Sequence, residues 1–286
     1  MSERVAVTGA TGYVGGRVAR LLAERGVPQR LVVRDPARAP ELPGAAARAA
    51  SSYGAGDEMH AALDGAATLF LVPAEESADR VEQHKTEVDA AVAAGVGRIV
   101  YLSFLGAAPD STFTLARHHW ATEEHIRAAG VAFTFPRMSM YLDFMPRMVG
   151  EDGVIAGPAG DGRVSLVARD DVADVAAAIL TGGGHDGHVY DVTGREALTM
   201  SEVAALFAEH SGKHVSYRAE TLEEAWASRA SHGAPDWEVE GWVTSYAAIA
   251  AGELETIADT VVRLTDHQPV TLAEYLQAQD IRPAAD

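Results

Sequence analysis

Two rhythms of apolar residues alternate along the first half of this chain. Val5-Ala6-Val7-Thr8 is a short, unbroken apolar run that ends directly on a glycine-rich stretch, Gly9 to Gly15. Behind it Val14, Val18, Leu21 and Leu22 recur at helical spacing, and Gly26 closes the helix. Arg30-Leu31-Val32-Val33-Arg34 reads as a second strand, closed by Asp35-Pro36, and Thr68-Leu69-Phe70-Leu71-Val72 as another, stopped by Pro73. A helix from Val81 to Ala94 ends at Gly95, and Arg98-Ile99-Val100-Tyr101-Leu102 is the next strand. A helix over roughly residues 115–129 and a strand from Val131 to Phe135 complete the series. The strands are continuous apolar runs rather than alternating ones, which means burial on both faces and a parallel sheet covered by helices. The predicted fold is α/β and doubly wound.

Past about residue 150 the rhythm loosens. Gly150, Gly153, Gly157, Gly160 and Gly162 punctuate short segments, Asp171 to Leu180 forms one further helix, and Gly182-Gly183-Gly184 is a loop. With no internal repeat and no low-complexity linker, this pattern predicts a nucleotide-binding domain over residues 1–150. A smaller C-terminal α/β lobe over 151–286 is expected to pack against its sheet and supply the substrate side.

The stretch between the first strand and first helix carries the chemistry. Gly9 permits a tight turn, Gly12 lets the backbone approach a pyrophosphate, and Gly15 allows close helix–strand packing. The free N–H groups and the positive end of the helix then face phosphate. Such a site makes the sheet a Rossmann sheet and the ligand a dinucleotide. Its expected contacts are Thr8, Gly9, Thr11, Gly12, Tyr13, Val14 and Gly15, with Val72, Pro73 and Ser103 at the ends of later strands. An NAD site usually places an acidic residue after the second strand, for the ribose 2′-hydroxyl. This chain has Arg34 there and Arg38 one turn on, two guanidiniums suited to a 2′-phosphate. Asp35 could reach the ribose if the strand ran one residue further. The expected cofactor is NADP(H), in preference to NAD(H).

Composition narrows the function further. The 286 residues hold 41 acidic and 23 basic side chains, a formal net charge of -18 that disfavours nucleic acid and anionic membranes as direct partners. The absence of cysteine removes disulfides and thiolate chemistry. The opening Met1-Ser2-Glu3-Arg4 lacks the features of a secretory leader, and no apolar run nears the ~20 residues that span a bilayer, so a soluble, cytoplasmic protein is expected. His118, His119 and His125, and His185 with His188, are close in sequence, but no zincin-like pattern accompanies them and no metal site is expected.

The Gly-x-x-Gly-x-x-Gly spacing resembles that of extended and atypical short-chain dehydrogenases. Ala-Ala-Gly-Val-Gly-Arg-Ile-Val-Tyr-Leu-Ser ending at Ser103, Thr122-Glu123-Glu124 with Ala128 to Thr134 and Arg137, and Arg169-Asp170-Asp171-Val172 resemble segments of the NmrA-like group. So do Gly160-Asp161-Gly162 and Gly187-His188-Val189-Tyr190 with Thr193-Gly194. Within that group the chain is similar to type 2 NAD(P)H:quinone oxidoreductases and triphenylmethane dye reductases, which the resemblance describes as reducing quinones or dyes with NADPH and without flavin or metal. The Tyr and Lys pair of typical short-chain dehydrogenases is missing: only Lys85 and Lys213 exist, neither with a Tyr four residues before it. In the family pattern His119 and Glu123 take those positions. Ser103 and His119 are the candidate catalytic residues, His119 either donating a proton near neutral pH or only lining the pocket. Ser52 stands where relatives carry an Asp for the adenine amino group. Phe104, Leu105, Met138, Met140, Tyr141 and Phe144 follow strand ends and are expected to wall the substrate pocket. The reading is an NADPH-dependent reductase of a small, quinone-like or other flat electron-poor substrate. The alternative is a non-catalytic redox sensor that binds a regulatory protein; a homodimer is compatible with either.

Overall fold

The computed structural model describes residues 5–279, and Met1-Ser2-Glu3-Arg4 lies outside them. The elements run β1 (Val5–Thr8), α1 (Tyr13–Glu24), β2 (Gln29–Val33), β3 (Ala45–Ala49), α2 (Gly56–Leu63), β4 (Thr68–Leu71) and α3 (Arg80–Ala93). Then come β5 (Arg98–Tyr101), the two-residue β6 (Ser103–Phe104), α4 (Thr114–Ala128) and β7 (Ala132–Met138). Short apolar runs bounded by glycine and proline become strands because each residue can be buried on a pleated surface. β1, β2 and β4 are buried along their whole length.

β3 and α2 carry no comparable signal in the sequence. β3 is Ala-Ala-Ala-Arg-Ala with exposed positions, held by its parallel register on β2 rather than by side-chain burial. It is the sheet's edge, in the order β10-β7-β5-β4-β1-β2-β3, where β10 is His188–Val192. All these pairings are parallel. The strand order reverses between β1 and β4, and an open α/β sheet offers a ligand crevice outside the carboxyl ends of its strands at such a point. The phosphate loop follows β1 and the Val72-Pro73-Ala74 segment follows β4, so the two border that crevice.

Beyond β7 come a 3₁₀ segment, Leu142–Met148, then β8 (Val154–Gly157), β9 (Arg163–Val164), α5 (Arg169–Thr181) and β10. They are followed by β11 (Leu198–Thr199), α6 (Met200–Ser211), β12 (Ser216–Ala219), α7 (Leu222–Ala230), α8 (Asp236–Ala250), α9 (Thr260–Leu264) and α10 (Leu272–Ala278). Two pieces from beyond residue 150 belong to the Rossmann layer and not to a lobe. β10 pairs with β7 along its full length, and α5 packs on α1 through a core that joins Val14 and Val18 to Val172, Val175 and Ile179. The lobe is the remainder, built on two small sheets, β9 with β11 and β8 with β12. Its apolar core includes Ile155, Val164, Phe207, Tyr246 and Leu276, and it reaches back to Phe104, Leu105 and Leu115. Among the described residues no helix is long and apolar enough to cross a membrane.

Candidate cofactor and substrate site

The phosphate loop is shaped by backbone contacts that leave no room for side chains. Gly9 has φ of 62°, a left-handed conformation that favours glycine, and its carbonyl accepts the Gly12 N–H at 2.9 Å. A Cβ at Gly15 would lie 2.4 Å from Gly9 O, so that glycine protects the turn itself. A Cβ at Gly12 would meet only Gly9 O, at 3.3 Å, and otherwise open space. Gly12 is the N-cap of α1 with no side-chain cap, and the first turn of the helix has no acidic residue. These features fit a bound pyrophosphate: unsatisfied N–H groups at a helix start, positive potential, and room for a close approach.

A cavity of about 460 Å³ opens over this loop. Gly9, Thr11 and Gly12 form one wall, Arg34 and Ser51 to Tyr53 another, and Val72, Pro73 and Ala74 a third. Thr8 joins the two strand ends that border it, since its hydroxyl donates to Phe70 O at 3.3 Å and accepts the Val72 N–H at 3.0 Å. Ala74 is clamped by α3: its N–H donates to His84 Nε2 at 2.9 Å, and its carbonyl accepts from Arg80 Nε at 3.0 Å. His84 must stay neutral to accept that bond, and burial with the charge of Arg80 pushes its pKa down to about 3.

Arg34 stands on the cavity wall, exposed and without an acidic partner among the described residues. Arg38 sits in the 3₁₀ turn Pro36–Arg38 and is exposed, but it is not part of the cavity wall. The Asp35 carboxylate caps that turn by accepting the Ala37 N–H at 3.0 Å, which occupies it locally. Of the other sequence-chosen cofactor residues, Val72 and Pro73 line the cavity, whereas Val14 faces the α1–α5 core. Tyr13 is exposed, with the Arg169 guanidinium 4.0 Å above its ring and its hydroxyl donating to Asp170 at 2.9 Å.

The catalytic candidates lie deeper. Ser103 is fully buried and donates to Glu123 Oε1 at 2.6 Å. Glu123, also fully buried, receives Arg137 on both oxygens, at 2.8 and 2.6 Å, and Arg127 at 3.1 Å. His119 is 3% exposed, with Nδ1 2.9 Å from the Tyr101 hydroxyl and its ring tilted against Tyr101 and Phe104. Burial, reinforced by the charge of Arg80, holds its pKa well below the usual histidine range. At neutral pH it is therefore an uncharged imidazole, so the expected role of imidazolium proton donor does not match its environment.

The expected substrate wall divides. Phe104 and Leu105 are buried in the lobe core, Phe104 edge-on to Phe113 at 5.2 Å, with Met138 and Met140 partly buried against the same core. Tyr141 is half-buried against the main core and stacks on Phe144 with centroids 6.4 Å apart, and Phe144 is 46% exposed with Arg147 over its ring. Arg169 joins this segment to the phosphate loop, pairing with Asp143 at 3.1 Å while it lies over Tyr13. Sequence reasoning missed the contributions of Ala74, Glu75, Glu76 and Gln83 to the cavity. The signal was available, because Ala74 to Glu76 directly follow a strand end at the switch point. No group of three or more His, Asp or Glu side chains among the described residues is placed to hold a metal ion.

Compared with known proteins, residues 1–276 match the NmrA-like family. The chain belongs to that family. This NmrA-like chain is 33% identical to the NAD(P)H azoreductase of Xenophilus azovorans over 286 residues, covering 96% of this chain and 97% of that protein. It is similar in structure to an NADPH-dependent quinone oxidoreductase from Escherichia coli complexed with NADPH, with a TM-score of 0.88 and 33% identity, covering 96% of this chain and 99% of the other. A triphenylmethane reductase from Citrobacter sp., complexed with NADP(H), gives a TM-score of 0.84 at 31% identity with 96% and 99% coverage.

Proposed function

We propose that this NmrA-like protein uses NADPH to reduce a flat, electron-poor acceptor of the quinone or azo class. It is an NAD(P)H-dependent oxidoreductase, as its relatives are. One observation carries the preference for NADPH: Arg34, without an acidic partner, stands on the wall of the cavity that opens over the phosphate loop, while Asp35 is spent on a helical cap. When bound, the dinucleotide supplies hydride. The chain's own part is to bind and orient. The loop glycines and the start of α1 hold the pyrophosphate, Arg34 the 2′-phosphate, and the Ala74 clamp fixes the wall after β4.

The acceptor side rests on Phe144, exposed and backed by Tyr141, in a segment tied to the phosphate loop through Asp143 and Arg169. A flat ring system packs well on such a surface. A quinone-like acceptor suits such a surface, because its reduced anion can take its proton from water. Orientation then supplies most of the rate. The test is NADPH oxidation with a panel of naphthoquinones and azo dyes, beside calorimetric binding of all four dinucleotides. Tight NADPH binding with turnover of at least one acceptor class is expected. Tight binding with no turnover on any member would overturn the reductase reading.

A further inference from the structure

At the position where the resemblance leads one to expect an Asp for the adenine amino group this chain has Ser52, on the cavity wall; Glu75 and Glu76 line the same cavity, and Glu58 is taken by the Ser51 N–H at 2.7 Å. Another acceptor lies across from Ser52. Gln83, on the first turn of α3, lines the same cavity as Ser51 and Ser52. The two sides converge at Gly54, where a Cβ would lie 3.6 Å from Gln83 Cγ and 3.7 Å from Ser52 Oγ.

Which end of the Gln83 amide carries the NH₂ follows from its neighbours. Its Nε2 lies 2.9 Å from Asp79 Oδ1 and 3.5 Å from Ser77 Oγ. The Ser77 hydroxyl itself donates to Asp79 Oδ1 at 2.8 Å, so toward Gln83 it can only accept. An exposed carboxylate accepts and does not donate. Both neighbours therefore require the NH₂ of Gln83, and its carbonyl oxygen has no hydrogen-bond partner among the described residues. An amide turned the other way would set oxygen against oxygen.

We propose that Gln83, pinned by Asp79 and Ser77, is the residue that selects the purine of the dinucleotide, its Oε1 accepting from the 6-amino group of adenine. A 6-oxo purine would bring its own acceptor to the same point and be refused, since Gln83 cannot rotate without breaking the Asp79 bond. The inference rests on the dinucleotide reading of the cavity, and it adds to that reading which base is admitted and by which atom.

Calorimetric binding of NADPH and of its hypoxanthine analogue, deamino-NADPH, tests it. Wild type is expected to prefer NADPH by about tenfold, the scale of one well-made hydrogen bond against an acceptor clash. Gln83→Leu should bring the ratio close to one, chiefly by weakening NADPH. Asp79→Asn should also collapse the ratio, but by strengthening the analogue, because an amide at 79 can donate to a rotated Gln83. That gain of binding cannot come from a damaged fold. Equal affinities in wild type, equal losses for both ligands in Gln83→Leu, or no gain for the analogue in Asp79→Asn would overturn the proposal. Absence of NADPH binding in wild type would instead overturn the cofactor reading beneath it, and the proposal with it.

Discussion

Ser103 and Glu123 are joined by a 2.6 Å hydrogen bond, and neither side chain is exposed. The serine fastens the short β6 to α4, while Arg137 fastens the same carboxylate to β7. Glu123 is thus a buried three-way junction of β6, α4 and β7. Its removal leaves Arg137 and Ser103 without their shared partner. Glu123→Ala is expected to lower unfolding stability by about 3–5 kcal/mol, the cost of breaking a buried charge pair from one side. Urea denaturation measures it, and a loss below 1 kcal/mol would show that the junction carries little.

Gly12→Val should abolish dinucleotide binding and spare the fold. A Cβ there meets only Gly9 O, at 3.3 Å, and the rest of the branched side chain would compete with the pyrophosphate expected over the loop. Gly15→Ala, by contrast, should damage the loop itself, since its Cβ falls 2.4 Å from Gly9 O. Circular dichroism beside calorimetry distinguishes the two. A folded Gly12→Val that keeps wild-type affinity contradicts the assignment.

Arg34→Ala is expected to weaken NADPH by about 1.5–3 kcal/mol and to leave NADH nearly unchanged, as loss of a charge-assisted bond to the 2′-phosphate requires. Arg38→Ala should have a smaller effect, because Arg38 is not part of the cavity wall. Raising the salt concentration should narrow the NADPH preference of wild type. Equal losses for both cofactors would move the ribose contact elsewhere.

The pH–rate profile should contain no step from His119. Its pKa is held well below the usual range, so it remains neutral throughout the neutral and alkaline region. His119→Ala is expected to raise the Michaelis constant more than it lowers turnover. A step near pH ~6.5, the ordinary histidine value, that disappears in this variant would restore the proton-donor role.

Glu87 gives the clearest pH dependence of stability. It is fully buried on α3, neither carboxyl oxygen has a hydrogen-bond partner among the described residues, and burial raises its pKa well above the usual carboxyl range. The native chain keeps this proton at pH values where the unfolded chain, with a carboxyl near pKa ~4.3, has lost it. The unfolded state then binds fewer protons, so this group's contribution to stability falls as pH rises from about 4 toward the raised native value. Replacing Glu87 with Gln should raise the Tm more at about pH 8 than at about pH 4. A benefit independent of pH would show that Glu87 does not act through its proton.

The strands that frame the crevice were legible because burial on both faces leaves an unbroken apolar run, as in Thr68 to Leu71. β3 was not, because an edge strand of alanines is held by backbone pairing and carries no apolar pattern. The phosphate loop was legible for a related reason: its geometry demands glycine, and glycine is visible in sequence. Ser103 and His119 were correctly set near a strand end and on a helix, but nothing in the sequence tells that both are buried. Their burial comes from long-range packing, Ser103 against Glu123 and β7 and His119 against Tyr101 and Phe104, and Phe104 and Leu105 belong to the lobe core. Gln83 was hidden because a glutamine in an amphipathic helix reads as surface until the loop beside it is placed.

The return of the chain to the main sheet after residue 150 constrains what motion and dissection can do. β7 leads out into the lobe segments, and α5 and β10 come back to complete the sheet before the chain departs again for α6 to α8. Several covalent strands therefore cross between the two parts, and no single linker can serve as a swivel. A fragment ending at residue 150 would lose the edge strand that covers β7 and the helix that covers α1. Sheet and lobe are therefore expected to unfold in one cooperative transition and not as independent parts.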